Sequence, residues 1–569
     1  MIDTFIGDAR DYNPKKLLSD LIAGLTVAII LIPQGMAYAL LAGMPPVYGL
    51  YAALTPLLIY PIFATSRQLS VGPVALMSII ILSGVSIFEE PGTPRYIDMV
   101  LMTALLSGIL QLVYSVLKLG VLSNFLSKPV MSGFISAAGV IIAISQIKYF
   151  LTLEVPRSSS VVQMLIDDFN KLDTSNWYSL ILGGAGIAVI LILKRIHKLI
   201  PSYLIAVVIG IVVLLIFDLQ FKGVPIVGDI PQGLPGFYAG FLNFDYVVSL
   251  FPASLVISII CFIGSFSIAK TLAPKEQSLD ISADKELVGL GMSKLISSFF
   301  MAMPSTGSFT RSAINKEAGA VSGFASIFAG VFIALTLAFF SSYFYYLPEP
   351  ILAAIVITSV FSLIDYKEAM RLFASDKMDF WVLITTFTLT IVLGIVNGIM
   401  AGVVLSLMSV VIRSSKPHFA ELGRLPHTQS FRNIKRYPEA ETTDNVLIMR
   451  YDQDLFFANA DHFYYAIIKL VDQRNPQKLV LHLGAINNID STAMDKMKEL
   501  LENLKSRHVD VNFTNLSWPV RDKFHESGIY DILDKDAVHL SVAHAVLGGN
   551  PNIEINITKS KEYSSQTNK

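Results

Sequence analysis

The chain has 569 residues, 53% of them hydrophobic and only 15% charged, and its mean hydropathy of +0.58 excludes an ordinary soluble protein of this size. A formal net charge of −1 leaves no surplus of either sign and argues against a nucleic-acid partner. The sole cysteine, Cys261, lies in an apolar run, so it reads as a small core residue, and neither a disulfide framework nor a thiolate metal site is available.

Residues 1–17 are mixed and charged ahead of the first apolar run, unlike a cleavable signal peptide, so the first span is expected to serve as its own insertion signal. From there to about Ile412 the chain is a succession of apolar stretches near spanning length, and from Arg413 it turns polar. This division predicts a transmembrane domain over 18–413, a linker over 414–444, a small α/β domain over 445–549 and a disordered tail over 550–569. Fourteen candidate spans begin near residues 19, 47, 71, 98, 128, 177, 199, 247, 286, 308, 319, 348, 378 and 397.

Two of these are poor helices. The third follows Gly72-Pro73 and the tenth is the short run after Thr306-Gly307. Each falls third in a set of seven, and matching interruptions in two halves are the mark of inverted repeats in a secondary transporter. Both breaks are rich in hydroxyls, as expected where half-helices begin at mid-membrane and aim their N-termini at an anion.

An N-terminus on the cytosolic side puts Arg67, Lys118, Lys128, Lys194, Arg195, Lys198, Lys270, Lys275, Lys367, Arg371 and Lys377 in cytoplasmic loops. Opposite loops keep Arg95, Arg157, Lys171 and Lys222, a poorer set, so the positive-inside bias favours both termini in the cytosol.

Chemistry is read from polar groups that must sit deep. Arg311 is the only basic residue placed near the bilayer centre, where an unpaired charge costs at least about 2.5 kcal/mol. Joined by the backbone N–H groups of Phe309 and Thr310 and the hydroxyls of Ser305, Thr306 and Ser308, it suits an anion; the alternative is that it pairs with a carboxylate or carbonyls and only fixes packing. Across from it, Ser70, Val71 and Val74 flank the Gly72-Pro73 break, where glycine permits close approach and proline suits a first helical turn. In the first span Gln34 and Tyr38 share one helical face, either as a donor and wall of a pocket or as an interhelical hydrogen bond and an aromatic packer.

The segments Ile-Pro-Gln-Gly-Met-Ala-Tyr-Ala (32 to 39), Ser-Val-Gly-Pro-Val-Ala (70 to 75), Ser-Ile-Ala-Lys-Thr-Leu-Ala (267 to 273) and Thr-Gly-Ser-Phe-Thr-Arg-Ser-Ala-Ile-Asn (306 to 315) resemble the sulfate permease (SulP) family of anion transporters in order and spacing. The resemblance implies a multi-pass α-helical membrane protein with fourteen spans as seven-plus-seven inverted repeats. It also implies a core domain of spans 1 to 4 and 8 to 11 moving as an elevator against a gate domain, a homodimer, and a cell-membrane location, here a bacterial inner membrane. By matching motif positions, Gln34, Tyr38, Val74, Ser308, Phe309, Thr310 and Arg311 take the substrate-binding roles. The family carries sulfate, bicarbonate, chloride, dicarboxylates and other anions, with sulfate favoured here.

One departure bears on coupling. Many bacterial relatives have a span-8 carboxylate that serves ion coupling, where this chain has Gly264, and Glu317 lies roughly 12 Å below the tenth helix start. A coupling H+ or Na+ would then be held elsewhere, by Ser265, Ser267 and carbonyls, or transport is exchange or uniport.

Past residue 413, Val446 to Tyr451, Lys478 to Leu483 and Val509 to Phe513 read as strands, and Ala460 to Val471 and Thr492 to Ser506 as helices. Leu455-Phe-Phe-Ala-Asn459 and Asn488-Ile-Asp-Ser-Thr492 resemble the cytosolic STAS domain of this family, which implies a candidate phosphoacceptor at Thr492 and a candidate cytosolic partner; the other reading is a helix cap through Ser491 or Asp490. The histidines are scattered without ligand spacing, and no metal cluster, nucleophile elbow or phosphate loop is present, so no cofactor and no enzyme activity are expected. An anion channel of the same fold and a STAS-based signalling scaffold are the competing readings.

Overall fold

Two short helices, each entered through an extended dipeptide, organise the N-terminal unit. The computed structural model describes residues 10, 12–120, 127–153, 155, 161–197, 200–273, 281–533 and 536–547, so the expectations resting on residues 1–9, Arg157, Lys198, Lys275 and 550–569 lie outside the described residues. By internal packing the chain divides into residues 1–407 and 408–569, a boundary inside the last apolar helix.

Each apolar stretch of the first unit is occupied by a helix. In chain order these are α1 (Pro14–Leu41), α2 (Pro46–Phe63), α3 (Ala75–Val85) behind strand β1 (Val71–Gly72), α4 (Pro94–Val116), α5 (Lys128–Ser145) with its short extension α6 (Ile147–Leu151), α7 (Val161–Asn170), α8 (Trp177–Ile196) and α9 (Ser202–Ile216). The second half follows as α10 (Asp245–Leu272), α11 (Ala283–Ser298), strand β2 (Thr306–Gly307) with α12 (Phe309–Glu317), α13 (Phe324–Phe339), α14 (Glu349–Val360), α15 (Tyr366–Ser375), α16 (Lys377–Leu393) and α17 (Ile395–Ser415). Among the described residues seven helices are long and apolar enough to cross a membrane by length and composition, and four more are apolar but shorter.

Local chemistry sets the ends. Asn13 caps α1, its side chain accepting from the Lys16 N–H at 3.0 Å, with Pro14 at the first helical position. Glycines set the closest approach between α1 and α2: a Cβ on Gly49 would stand 1.9 Å from the Gly35 carbonyl oxygen, so the two backbones touch where any side chain would force them apart.

The helices sort into two packing groups. In one, α11 packs on α4 and α2, α13 on α1 and α2, and α10 on α4; in the other, α16 packs on α5 and α8 on α14 and α9. Helix α1 also meets α9 and α14, where the groups adjoin. Within the first group, β1 and β2 pair antiparallel, Val71 opposite Gly307 and Gly72 opposite Thr306. Extended backbone cannot satisfy its own polar groups in an apolar interior, so the two interrupted segments satisfy each other.

The second unit holds a six-stranded sheet in the order β4-β3-β5-β6-β7-β8. Its strands are β3 (Phe419–Arg424), β4 (Phe431–Asn433), β5 (Val446–Tyr451), β6 (Lys478–His482), β7 (Asp510–Thr514) and β8 (Val538–His539). From β5 to β8 the pairing is parallel, while β3 runs antiparallel to β5 and β4. Helices α18 (Ala460–Arg474) and α19 (Ser491–Ser506) bury Ile467, Met497, Leu500 and Leu504 against Leu447, Leu479, Leu481 and Phe513, and α20 (Trp518–Glu526) and α21 (Val542–Leu547) complete the unit. Residues 414–444, expected as a linker, instead supply β3 and β4, because Phe419, Ala420 and Glu421 find partners at Tyr451, Arg450 and Met449 far along the chain.

Candidate anion site at the paired half-helices

The crossing of β1 and β2 brings the starts of α3 and α12 together. Ser308, the N-cap of α12, accepts from the Arg311 N–H at 3.5 Å and donates its own N–H to the Ser70 carbonyl at 3.1 Å, while the Ser70 N–H donates to Ser312 Oγ at 2.9 Å. The N–H groups of Phe309 and Thr310 open a helix and have no intrahelical acceptor, which leaves them for a ligand. Helix α3 has no side-chain cap, because its N-cap is Val74.

Arg311 is 1% exposed, and its Nη1 donates to the Pro73 carbonyl at 3.0 Å, so one guanidinium edge ties the second half-helix to the first. A carbonyl, then, and no carboxylate among the described residues, is its partner. Its Nε and Nη2 are buried with no partner among the described residues. Nη2 would sit 3.3 Å from a Cβ on residue 72, so glycine there gives the guanidinium its room. Leaving charged donors dry costs several kcal/mol, and an anion answers that cost. Nearby hydroxyls of Ser70 and Ser305 are likewise buried and unpartnered.

Gln34 and Tyr38, 3% and 4% exposed, face away from their own helix toward α9 and α14. Tyr38 lies against Ser359, Tyr203 and the Arg311 charge, and Tyr203 against Gln34 and Thr358. The Gln34 Oε1 has no partner among the described residues. Of the residues expected from sequence to bind substrate, Gln34, Tyr38 and Arg311 are brought together through these contacts, Ser308 caps α12, Val74 is half-buried, and Phe309 and Thr310 are exposed at the helix start.

The candidate coupling residues are not gathered in the same way. Ser265 Oγ bonds Thr306 Oγ1 at 3.0 Å and accepts the Gly307 N–H at 2.9 Å, bracing β2, whereas Ser267 is exposed on another face of α10. A Cβ on Gly264 would meet nothing within 4 Å, so this position borders open space.

Among the described residues, three charged side chains no more than 1% exposed were not singled out in the sequence. Glu286 accepts from the Thr65 N–H, the Ser66 N–H and the Thr65 hydroxyl at 2.8, 2.9 and 2.6 Å and from the Tyr60 hydroxyl. Asp20 accepts from the N–H groups of Val321 and Ser322 at 2.8 and 3.2 Å and from the Ser322 hydroxyl. Both carboxylates tie one segment to the turn ahead of another. The third is Lys294, 1% exposed in α11, a second fully buried basic residue in addition to Arg311. The lone signal in the sequence was one charge amid a run of small and apolar residues. In the second unit, Asp490 caps α19, accepting from the Ala493 N–H at 2.9 Å, and Thr492 is exposed beside it. Among the described residues no group of three or more His, Cys, Asp or Glu side chains could hold a metal ion.

A model of the sulfate permease family matches residues 17–386, and a model of the STAS domain matches residues 437–545. The chain is 36% identical over 546 residues to the chloroplastic sulfate transporter 4.1 of Arabidopsis thaliana, a match covering 93% of this chain and 79% of that protein. Sulfate transporter 1.2 of the same plant is 30% identical over 561 residues, covering 94% and 86%. Among solved structures, the murine solute carrier 26 family member A9 anion transporter in its inward-facing state has a TM-score of 0.88 at 24% identity, over 95% of this chain and 93% of that one. The transmembrane domain of a cyanobacterium bicarbonate transporter has a TM-score of 0.60 at 19% identity, over 70% and 98%; both likenesses speak to the fold. With two interrupted half-helices crossing at an arginine and an α/β unit following later in the sequence, the chain belongs to the sulfate permease family of membrane anion transporters and carries a C-terminal STAS domain.

Proposed function

We propose that the protein is a secondary transporter of small anions, sulfate first and bicarbonate or a dicarboxylate behind it, with the anion held between the starts of α3 and α12. The observation that carries this reading is Arg311, buried with Nε and Nη2 unpartnered beside free helix N–H groups. The named plant relatives are themselves sulfate transporters. An elevator motion of α1–α4 and α10–α13 against the remaining helices is proposed from their separate packing, since Gln34 and Tyr38 stand where the two groups adjoin. The STAS unit is proposed as a cytosolic regulator or partner-binding element, with both termini cytosolic and two chains per transporter.

Uptake of labelled sulfate into proteoliposomes, competed by bicarbonate, chloride and fumarate, tests the reading. Saturable uptake lost in Arg311→Ala supports it; no Arg311-dependent flux of any of these anions refutes it. A second reading, exchange or channel-like flux without a coupling ion, is favoured by the bare Gly264 position, and uptake that rises steeply with an imposed proton or sodium gradient would exclude it.

A further inference from the structure

Lys294 is buried in α11 with no carboxylate partner among the described residues, yet its surroundings are built to hold it. Its Nζ donates to Gln111 Oε1 at 3.0 Å and to Cys261 Sγ at 2.8 Å. Gln111 is held in that orientation because its own Nε2 donates to the Ser258 carbonyl at 2.8 Å, and Ser258 Oγ is in turn 3.1 Å from the Tyr114 hydroxyl. Every oriented group thus presents an acceptor to the lysine. Cys261 passes the contact on: its Sγ donates to the Ser305 carbonyl at 3.4 Å, and its carbonyl accepts from Thr306 Oγ1 at 3.4 Å. Ser305 and Thr306 are the residues through which the chain enters β2 and then α12, so the lysine stands behind the very segment that presents the N–H groups of Phe309 and Thr310. The acid nearest in sequence along its helix that is also buried, Glu286, is two turns away, roughly 12 Å along the axis, and is already met by Thr65, Ser66 and Tyr60, the last of which also faces Cys261.

We propose that Lys294 is a specificity-determining residue of the anion site, a second fixed positive charge that works with Arg311 to favour doubly charged over singly charged anions. The inference rests on the transport reading and names its substrate class. A buried ammonium is costly to leave without an anion, and two cations bonded directly only to neutral acceptors leave positive charge at the site that a dianion meets more fully than a monoanion. Lys294 does not itself reach the ligand; it acts through space and through Cys261 and Ser305. That gives it a signature. A charge acting at a distance weighs a dianion twice as heavily as a monoanion, so removing it should weaken sulfate binding by about the square of the factor for nitrate, for instance about tenfold against about threefold.

The experiment measures sulfate and nitrate affinity on the full-length protein, by competition of labelled sulfate uptake in proteoliposomes and by anion-dependent thermal shift in detergent. The variants are Lys294→Gln, which keeps an N–H for Gln111, and Lys294→Arg, which keeps the charge. The expected result is a larger loss for sulfate than for nitrate in Lys294→Gln, with the wild-type ratio of the two restored in Lys294→Arg. Equal factors for both anions, unchanged sulfate affinity, or failure of Lys294→Arg to restore the ratio in a folded protein overturns the proposal. A wild type that takes up neither anion fails the transport reading instead, and the two failures are told apart before any variant is made.

Discussion

Arg311→Lys is the sharpest test of the site because it keeps the charge and removes the shape. The guanidinium spends Nη1 on the Pro73 carbonyl at 3.0 Å and has Nε and Nη2 left over. A lysine gathers its three N–H donors on one nitrogen, so it cannot hold the carbonyl with one edge and present two parallel donors to an anion with another. Losing a hydrogen bond to a charged group costs about 1.5–3 kcal/mol, which is about tenfold to a hundredfold in affinity. The half-saturation concentration for sulfate uptake in proteoliposomes should therefore rise at least about tenfold in Arg311→Lys, with maximal rate less affected, while Arg311→Ala should abolish saturable uptake. Unchanged half-saturation in both variants, in protein with wild-type thermal stability, would refute the assignment of the anion to this guanidinium and return Arg311 to a packing role.

The other expectations are local. Gly72→Ala puts a methyl 3.3 Å from Arg311 Nη2 and should weaken sulfate affinity a few fold, whereas Gly264→Ala projects into open space and should leave uptake kinetics unchanged; the pair is read side by side in one uptake series. In the STAS unit burial raises the Asp452 carboxyl, but Arg450 and His418 more than offset it, so it sits below the ordinary carboxylate range. Its contribution to stability is accordingly present above the unfolded carboxylate value and fades as pH falls through the lower folded one, and Asp452→Asn should flatten the acid limb of the melting curve below about pH 4. Asp490→Ala should cost about 0.5–2 kcal/mol by removing the cap of α19, measured by chemical unfolding, while Thr492→Ala should leave stability unchanged.

Much of the fold was legible along the chain because a bilayer imposes a one-dimensional rule. Stretches long and apolar enough to span announce themselves by composition, and the two that break, at Gly72-Pro73 and Thr306-Gly307, announce themselves by glycine, proline and hydroxyls where an apolar run should continue. The candidate site residues Gln34, Tyr38 and Arg311 were readable for the same reason, as polar groups where none is cheap. The strands β3 and β4 were not, since a strand's partner is decided by residues far along the chain, and Phe419 finds Tyr451 only in the folded sheet. Amphipathic α7 and α15 escaped because they are too short and too polar to read as spans.

By itself, then, the sequence determined that this is a membrane protein with two interrupted segments in matching positions and a polar α/β unit behind them, because burial in lipid constrains composition residue by residue. Only the tertiary structure decided what those interruptions do. It paired Val71 with Gly307, turned one edge of Arg311 onto the Pro73 carbonyl while leaving two donors without a partner among the described residues, set Ser265 Oγ against the Gly307 N–H, and gave Lys294 neutral acceptors instead of an acid. Partnership between groups far apart in sequence depends on distance and orientation in three dimensions, and no local pattern of residues carries that information.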